Sequence, residues 1–133
     1  MTGYLLDTHT LLWLGLGSSM IPVTVRETLS LSPLFVSVVS AAELGIKAGS
    51  GKLALPAPFE TDFEVAFQSM LERLGADLLP LELPAVARLR HLPLHHRDPF
   101  DRLIIAQALH SGLAVATRDR AFSAYAGLEI LDV

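Results

Sequence analysis

The sequence predicts an α/β fold in which a parallel sheet of about five short strands is covered by helices on both faces. Three observations carry that prediction. Short apolar runs recur along the chain and are separated by segments with the 3.6-residue apolar spacing of helices. The runs are apolar throughout rather than alternating, as in strands buried on both faces. No internal repeat, low-complexity segment or linker interrupts the pattern over 133 residues, so a single domain spanning 1–133 is expected.

Tyr4-Leu5-Leu6 reads as a buried strand ending at Asp7. Residues 8–16 have helical spacing through Leu11, Leu12, Trp13 and Leu14, and Gly15-Leu16-Gly17-Ser18-Ser19 stops them. Residues 22–31 read as a short helix. The turn signal Ser32-Pro33 introduces a second strand over 34–37. A helix over 38–48 carries Glu43 on an apolar side, four residues after Val39 and three before Ile46, and Gly49-Ser50-Gly51 closes it. Pro56-Ala57-Pro58 marks a turn. Residues 59–74 predict one amphipathic helix, because Phe59, Phe63, Phe67, Met70, Leu71 and Leu74 share a face, and Gly75 ends it. That face reads as core or as a partner-binding surface.

A third strand is expected over 76–81, a short helix over 84–91 with Arg88 and Arg90 outward, and a loop over 92–97. The next helix is expected over 99–110, closed by Gly112. A fourth strand over 113–116 leads into Thr117-Arg118-Asp119, and a short helix over 120–125 precedes a last strand over 128–131.

The start of the helix at 99 is the most informative stretch. Asp98 is placed to N-cap it, and Pro99 occupies the first helical position, where a missing N–H does no harm. Asp101 falls where a capping-box acid would. Yet Ile104, Ile105 and Ala108 lie three, four and seven residues after Asp101, on its own side of the helix. A carboxylate heading into apolar surroundings needs a cation, a dense set of donors or a metal.

Composition narrows the class. Apolar residues make up 51% and charged residues 18%, which fits a compact chain. No apolar run approaches the roughly 20 residues of a membrane span, and no signal-peptide pattern opens the sequence. The absence of cysteine excludes disulfides, thiolate metal sites and a cysteine nucleophile, and predicts a cytoplasmic protein. The formal net charge of −4 argues against bulk attraction to nucleic acid. Residues 88–120, however, hold six arginines against three acids, and four of the five histidines. A solvated surface and a local phosphate-binding rim both fit that pattern.

Catalytic groups of open parallel sheets gather beyond the carboxyl ends of the strands. Asp7 and Asp119 sit there, Glu43 lies in the helix after the second strand, and Asp101 reaches the same edge if its helix runs back against the strands. Asp7, Asp98 and Asp119 are equally placed to serve as plain N-caps. Clustered carboxylates repel and call for positive charge, and all-oxygen ligation selects hard cations, Mg²⁺ or Mn²⁺. Thr8, Ser37, Ser40 and Thr117 are candidate supporting hydroxyls. The histidines read as loop or rim residues. No glycine-rich phosphate loop follows a strand, which weakens a nucleotide-switch or kinase-like reading.

Four segments, taken in order, resemble the motifs of PIN-domain nucleases: Leu5-Leu6-Asp7-Thr8-His9, Val38-Val39-Ser40-Ala41-Ala42-Glu43-Leu44, Asp98 to Ala108, and Ala116-Thr117-Arg118-Asp119. The resemblance covers nearly the whole chain and is nearest to the small VapC-like toxins of toxin–antitoxin pairs. It implies a PIN-like three-layer fold and a Mg²⁺- or Mn²⁺-dependent endoribonuclease, with water attacking an RNA phosphodiester in line. Position by position, Asp7, Glu43 and Asp101 match the metal-holding acids and Asp119 the fourth, more variable one. Asp98 belongs to an Asp-Pro-Phe-Asp variant, where it either binds metal through water or only caps the helix. Arg97, Arg102, Arg118 and Arg120 are candidate phosphate contacts. The family also implies a cognate antitoxin and a homodimer, with Leu11, Leu12, Trp13 and Leu14 available for such interfaces. Two rivals use the same residues: a metal-dependent phosphatase of small phosphoesters, and a non-catalytic binding protein of the same fold.

Overall fold

The computed structural model describes residues 3–133. Five strands, β1 (Tyr4–Leu6), β2 (Leu34–Ser37), β3 (Ala76–Leu79), β4 (Ala114–Thr117) and β5 (Ile130–Asp132), form one sheet in the order β3-β2-β1-β4-β5. Every pairing is parallel. The central strand β1 sets Leu5 beside Phe35 on one flank and Val115 on the other. The strand order reverses direction about β1, so the crevice beyond its carboxyl end is where an open α/β sheet places its ligands.

Alternation along the strands divides the core. Leu6, Val36 and Ala116 face one layer with Leu11 of α1 (Thr8–Gly15), Leu44 of α3 (Val38–Gly49), and Phe67 and Met70 of α5 (Phe63–Leu74). Leu5 and Val115 face the other, against Ile104 and Ile105 of α7 (Pro99–Ser111) and Phe122. Helices therefore cover both faces, as expected. Ile104, Ile105 and Met70 are completely buried, each contributing about 1.5–3 kcal/mol of transfer free energy. Gly15 permits the close approach of α1 to α5: a Cβ there would collide with the Met70 sulfur at 2.3 Å.

Several boundaries differ from the sequence pattern. The expected 59–74 helix is two, α4 (Ala57–Thr61) and α5, because Asp62 leaves helical geometry (φ −151°, ψ 94°) and N-caps α5 through the Val65 N–H at 3.2 Å. Phe59, Phe63 and Phe67 still pack in a row, Phe59 edge-on to Phe63 and Phe63 stacked on Phe67, each step 5.9 Å between ring centroids, so the apolar period survives the break. The third strand stops at Leu79, before Pro80, which has no N–H for a ladder. Residues 84–91 resolve into α6 (Leu83–Ala87) and a 3₁₀ turn, Arg88–His91. The segment after Asp119 is likewise a 3₁₀ turn, Arg120–Ala124, and the last strand is shifted to Ile130–Asp132. The remaining helix, α2 (Val23–Ser30), matches its expected position closely. Among the described residues no helix is long and apolar enough to cross a membrane.

Candidate functional site

Parallel strands followed by returning helices bring the chain's acids to one edge. Asp7 is the first residue past β1 and N-caps α1, its Oδ1 accepting from the Thr10 N–H at 2.8 Å. Its Oδ2 accepts from the Thr117 hydroxyl at 2.6 Å. Asp7 is only 5% exposed, so both oxygens need these donors. Glu43 projects from α3 and is 4% exposed. Its Oε1 accepts from the Thr8 hydroxyl at 2.7 Å, and its Oε2 pairs with Lys47 Nζ at 2.5 Å. Thr8 spends its only proton on Glu43, so Ser40, 3.0 Å away, donates to Thr8.

Asp98 caps α7 through the Phe100 N–H at 2.8 Å. Asp101 lies one turn into the helix and has no hydrogen-bond or ion-pair partner among the described residues. Burial and the neighbouring charge of Asp98 push its carboxyl from an ordinary 3.8 up to about 6; His96 pulls the other way, and Glu43 and Asp7 add to the rise. The proximity of Asp98, Glu43 and Asp7 to Asp101 is what makes the pocket electrostatically costly to leave without a cation. Lys47 supplies part of the balance. Its bond to Glu43 holds the ammonium above its usual range, against the effect of burial, and Asp98 and Asp101 reinforce this.

Asp119 follows β4 and is more open, with 46% of its side chain exposed. One oxygen accepts from the Ala121 N–H at 3.0 Å; the other takes His96 Nε2 at 2.8 Å. The sequence places the histidines on loops or the rim, but the His96 side chain is only 7% exposed. It stacks on Tyr125, meets Phe122 edge-on, and has Nδ1 3.0 Å from the Tyr125 hydroxyl. One ring nitrogen thus faces the Asp119 carboxylate and the other the Tyr125 hydroxyl, so His96 bridges the two. His96 had no sequence signal beyond its position before the Asp98 cap, because its partners arrive from residues 119–125. Lys47 did have one, the i,i+4 spacing from Glu43.

Ligand atoms of His96, Asp101 and Asp119 all lie within 4.8 Å of one another, a group able to surround one ion. With His96 Nε2 already bonded to Asp119, Asp101 and Asp119 could serve such an ion as direct donors, and His96 orients the second of them. The donor set fits a hard divalent cation: oxygen-rich, without thiols, with one partnerless carboxylate raised by burial and by like charges, the second of which a cation would relieve.

The remaining candidates separate. Ser37 points away from the acids: it caps α3 through the Val39 N–H at 2.9 Å and donates to the Gln107 side-chain oxygen. Arg102 donates to the Pro93 and Leu92 carbonyls at 2.8 and 3.1 Å, strapping the loop ahead of α7. Arg118 donates to the carbonyls of Val133 and Met20 and lies over the Trp13 ring. Arg97 and Arg120 are exposed, the latter 3.6 Å from Asp132.

The PIN domain family model matches residues 4–128. The chain belongs to the PIN-domain family. Its fold is shared with a chain of VapBC2 from Rickettsia felis bound to a DNA fragment from their promoter, at 16% identity and a TM-score of 0.70 over 98% of each chain. A chain of FitAcB from Neisseria gonorrhoeae is similar at 26% identity, with a TM-score of 0.66, covering 97% of this chain and 96% of that one. A chain of VapBC-5 from Mycobacterium tuberculosis, a member of the VapBC family of toxin–antitoxin systems, is similar at 24% identity and a TM-score of 0.62 over the full length of both. No curated protein matches. In this PIN domain the matched span contains Asp7, Glu43, Asp98, Asp101 and Asp119.

Proposed function

We propose that this chain, acting over residues 1–133 as one nuclease domain, is a divalent-metal-dependent endoribonuclease and the toxin of a toxin–antitoxin pair. The observation that carries the proposal is Asp101: a partnerless carboxyl raised to about 6 beside Asp98, Glu43 and Asp7, within reach of Asp119, at the carboxyl edge of a PIN sheet. Mg²⁺ or Mn²⁺ bound there supplies water activation and neutralises charge developing on the phosphoryl group.

The chain's own residues do the rest. Asp101 and Asp119 would hold the ion, and Asp7 and Glu43 would add negative charge to the same edge. Thr117 and Thr8 fix the rotamers of Asp7 and Glu43 through single hydrogen bonds. Asp98 sets where α7 begins and so where Asp101 points. Arg97, and Arg120 with only an exposed ion pair to Asp132, are the phosphate contacts of choice, whereas Arg102 and Arg118 are tied to carbonyls. Single-stranded or loop RNA suits an open edge of this kind. VapBC and FitAB neighbours support a cognate antitoxin as partner; a homodimer and, from the lack of cysteine, a cytoplasmic setting are part of the same proposal.

The test is a cleavage assay. With Mg²⁺ or Mn²⁺ the protein should cut single-stranded RNA, lose activity in EDTA and lose it again in Asp7→Asn. Release of phosphate from monoesters with RNA left intact would replace the nuclease by a phosphatase. Growth arrest that survives Asp7→Asn would point to binding alone.

A further inference from the structure

Beside the acids lies a depression of about 330 Å³ formed by Asp7, His9, Trp13, Arg118 and Asp119, at the small end for a ligand pocket. Its composition is unlike the rest of the edge: two carboxylates on one side, and an indole, an imidazole and a guanidinium on the other. Trp13 is half-buried on α1, one turn after the exposed His9, with ring centroids 6.0 Å apart and planes inclined by 35°. The Arg118 guanidinium lies 4.4 Å from the Trp13 ring centroid. Its Nε donates to the Val133 carbonyl at 2.8 Å and its Nη2 to the Met20 carbonyl at 2.5 Å. Those two bonds immobilise the guanidinium as a flat plate.

Two of its five N–H groups are spent on these carbonyls, which fixes the plane of the guanidinium and leaves it fewer donors for a phosphate. What it offers instead is a face. Guanidinium planes and aromatic rings are the surfaces on which unpaired bases stack. We infer that His9, Trp13 and Arg118 form a stacking subsite for one unpaired nucleobase of single-stranded RNA, flanking the acid edge where the scissile phosphate would lie. The subsite deepens the nuclease reading and rests on it. A base inside a duplex cannot enter, since its faces are already covered, so the subsite selects single strands. It is tolerant of sequence, because every base has a π face.

Trp13 is the chain's only tryptophan, so its fluorescence reports on this subsite alone. In EDTA, a single-stranded oligoribonucleotide should quench it saturably, while the same sequence in a duplex, or a ribose-phosphate strand lacking bases, should not. Trp13→Ala should raise KM for single-stranded RNA on the order of ten-fold with kcat little changed, and Trp13→Phe should recover part of the loss. His9→Ala, an exposed position that does not threaten folding, should raise KM in the same direction. Quenching by the base-free strand, or RNA cleavage with KM unchanged in both His9→Ala and Trp13→Ala, overturns the subsite. Quenching by single-stranded RNA without cleavage under any metal would leave the subsite standing and remove the nuclease reading.

Discussion

The Thr117 hydroxyl donates to Asp7 Oδ2 at 2.6 Å, joining the ends of two neighbouring strands across 110 residues of sequence. The Thr117 hydroxyl oxygen in turn accepts from the Asp119 N–H at 3.0 Å. One buried side chain thus ties the first acid of the edge to the loop that carries the last. Thr117→Val keeps the shape and removes both bonds, leaving a buried carboxylate oxygen short of a donor. We expect a loss of roughly 1–3 kcal/mol in stability and a weaker metal-induced shift in melting temperature. Thr117→Ser should behave almost as wild type. Equal melting curves for Thr117→Val and wild type, with and without Mn²⁺, would show that the bond carries no such weight.

Asp101 sets stability against function. Its carboxyl titrates near 6 in the fold and near 3.8 when unperturbed, so the metal-free folded state binds the extra proton more readily than the unfolded state. The stabilising contribution of this group is complete below 3.8 and is lost as pH rises through 6. Asp101→Asn should therefore melt higher than wild type at pH 7.5 without metal, by about 1 kcal/mol once solvent screening of a partly exposed group is allowed for. The gap should close towards pH 4. Mn²⁺ should stabilise wild type and not the variant, and its binding to wild type should weaken below pH 6, where proton and metal compete. An Asp101→Asn protein that melts lower than wild type in EDTA at pH 7.5 sinks this account.

Much of this arrangement is visible in the sequence, and what is hidden has a common cause. The strands and most helices follow from apolar period, and the capped start of α7 from Asp98-Pro99. The side on which Asp101 travels follows from Ile104 and Ile105. Hidden features depend on partners far away in sequence. Arg102 and Arg118 look like phosphate contacts until the carbonyls of Pro93, Leu92, Val133 and Met20 are seen beside them. His96 looks like a loop histidine until Phe122 and Tyr125 close around it. The break at Asp62 is masked because the phenylalanine row runs straight through it. Local chemistry favoured a cap there, and the helical period could not report it.

Lys47 is the resident counter-cation of the pocket, 2.5 Å from Glu43. In Lys47→Met the nearly buried Glu43 keeps only the Thr8 hydroxyl. The metal-free protein should lose roughly 1–2 kcal/mol, less than the 3–5 of a fully buried pair, because Lys47 is itself partly exposed. A divalent ion supplies the missing positive charge, so Mn²⁺ should raise the melting temperature of Lys47→Met by more than it raises that of wild type. Identical metal-induced shifts in the two proteins would mean that Lys47 and the ion do not share a field.

The clearest separation of support from ligation lies in the row Tyr125–His96–Asp119. Asp119 is half in solvent and stands on a short loop, so little besides His96 and the Ala121 N–H fixes its rotamer. His96→Phe keeps the ring between Phe122 and Tyr125 but releases Asp119. Mn²⁺ affinity, read by calorimetric titration, should fall on the order of ten-fold, as when outer partners of metal ligands are removed. Tyr125→Phe keeps the stack and the Asp119 contact, removing only the hydroxyl that faces His96 Nδ1. Its loss should be smaller and in the same direction. Asp119→Asn removes the ligand itself, so adding His96→Phe to it should weaken binding little further, the signature of two residues acting through one contact. Losses that simply add in the double variant would assign His96 a role of its own at the ion.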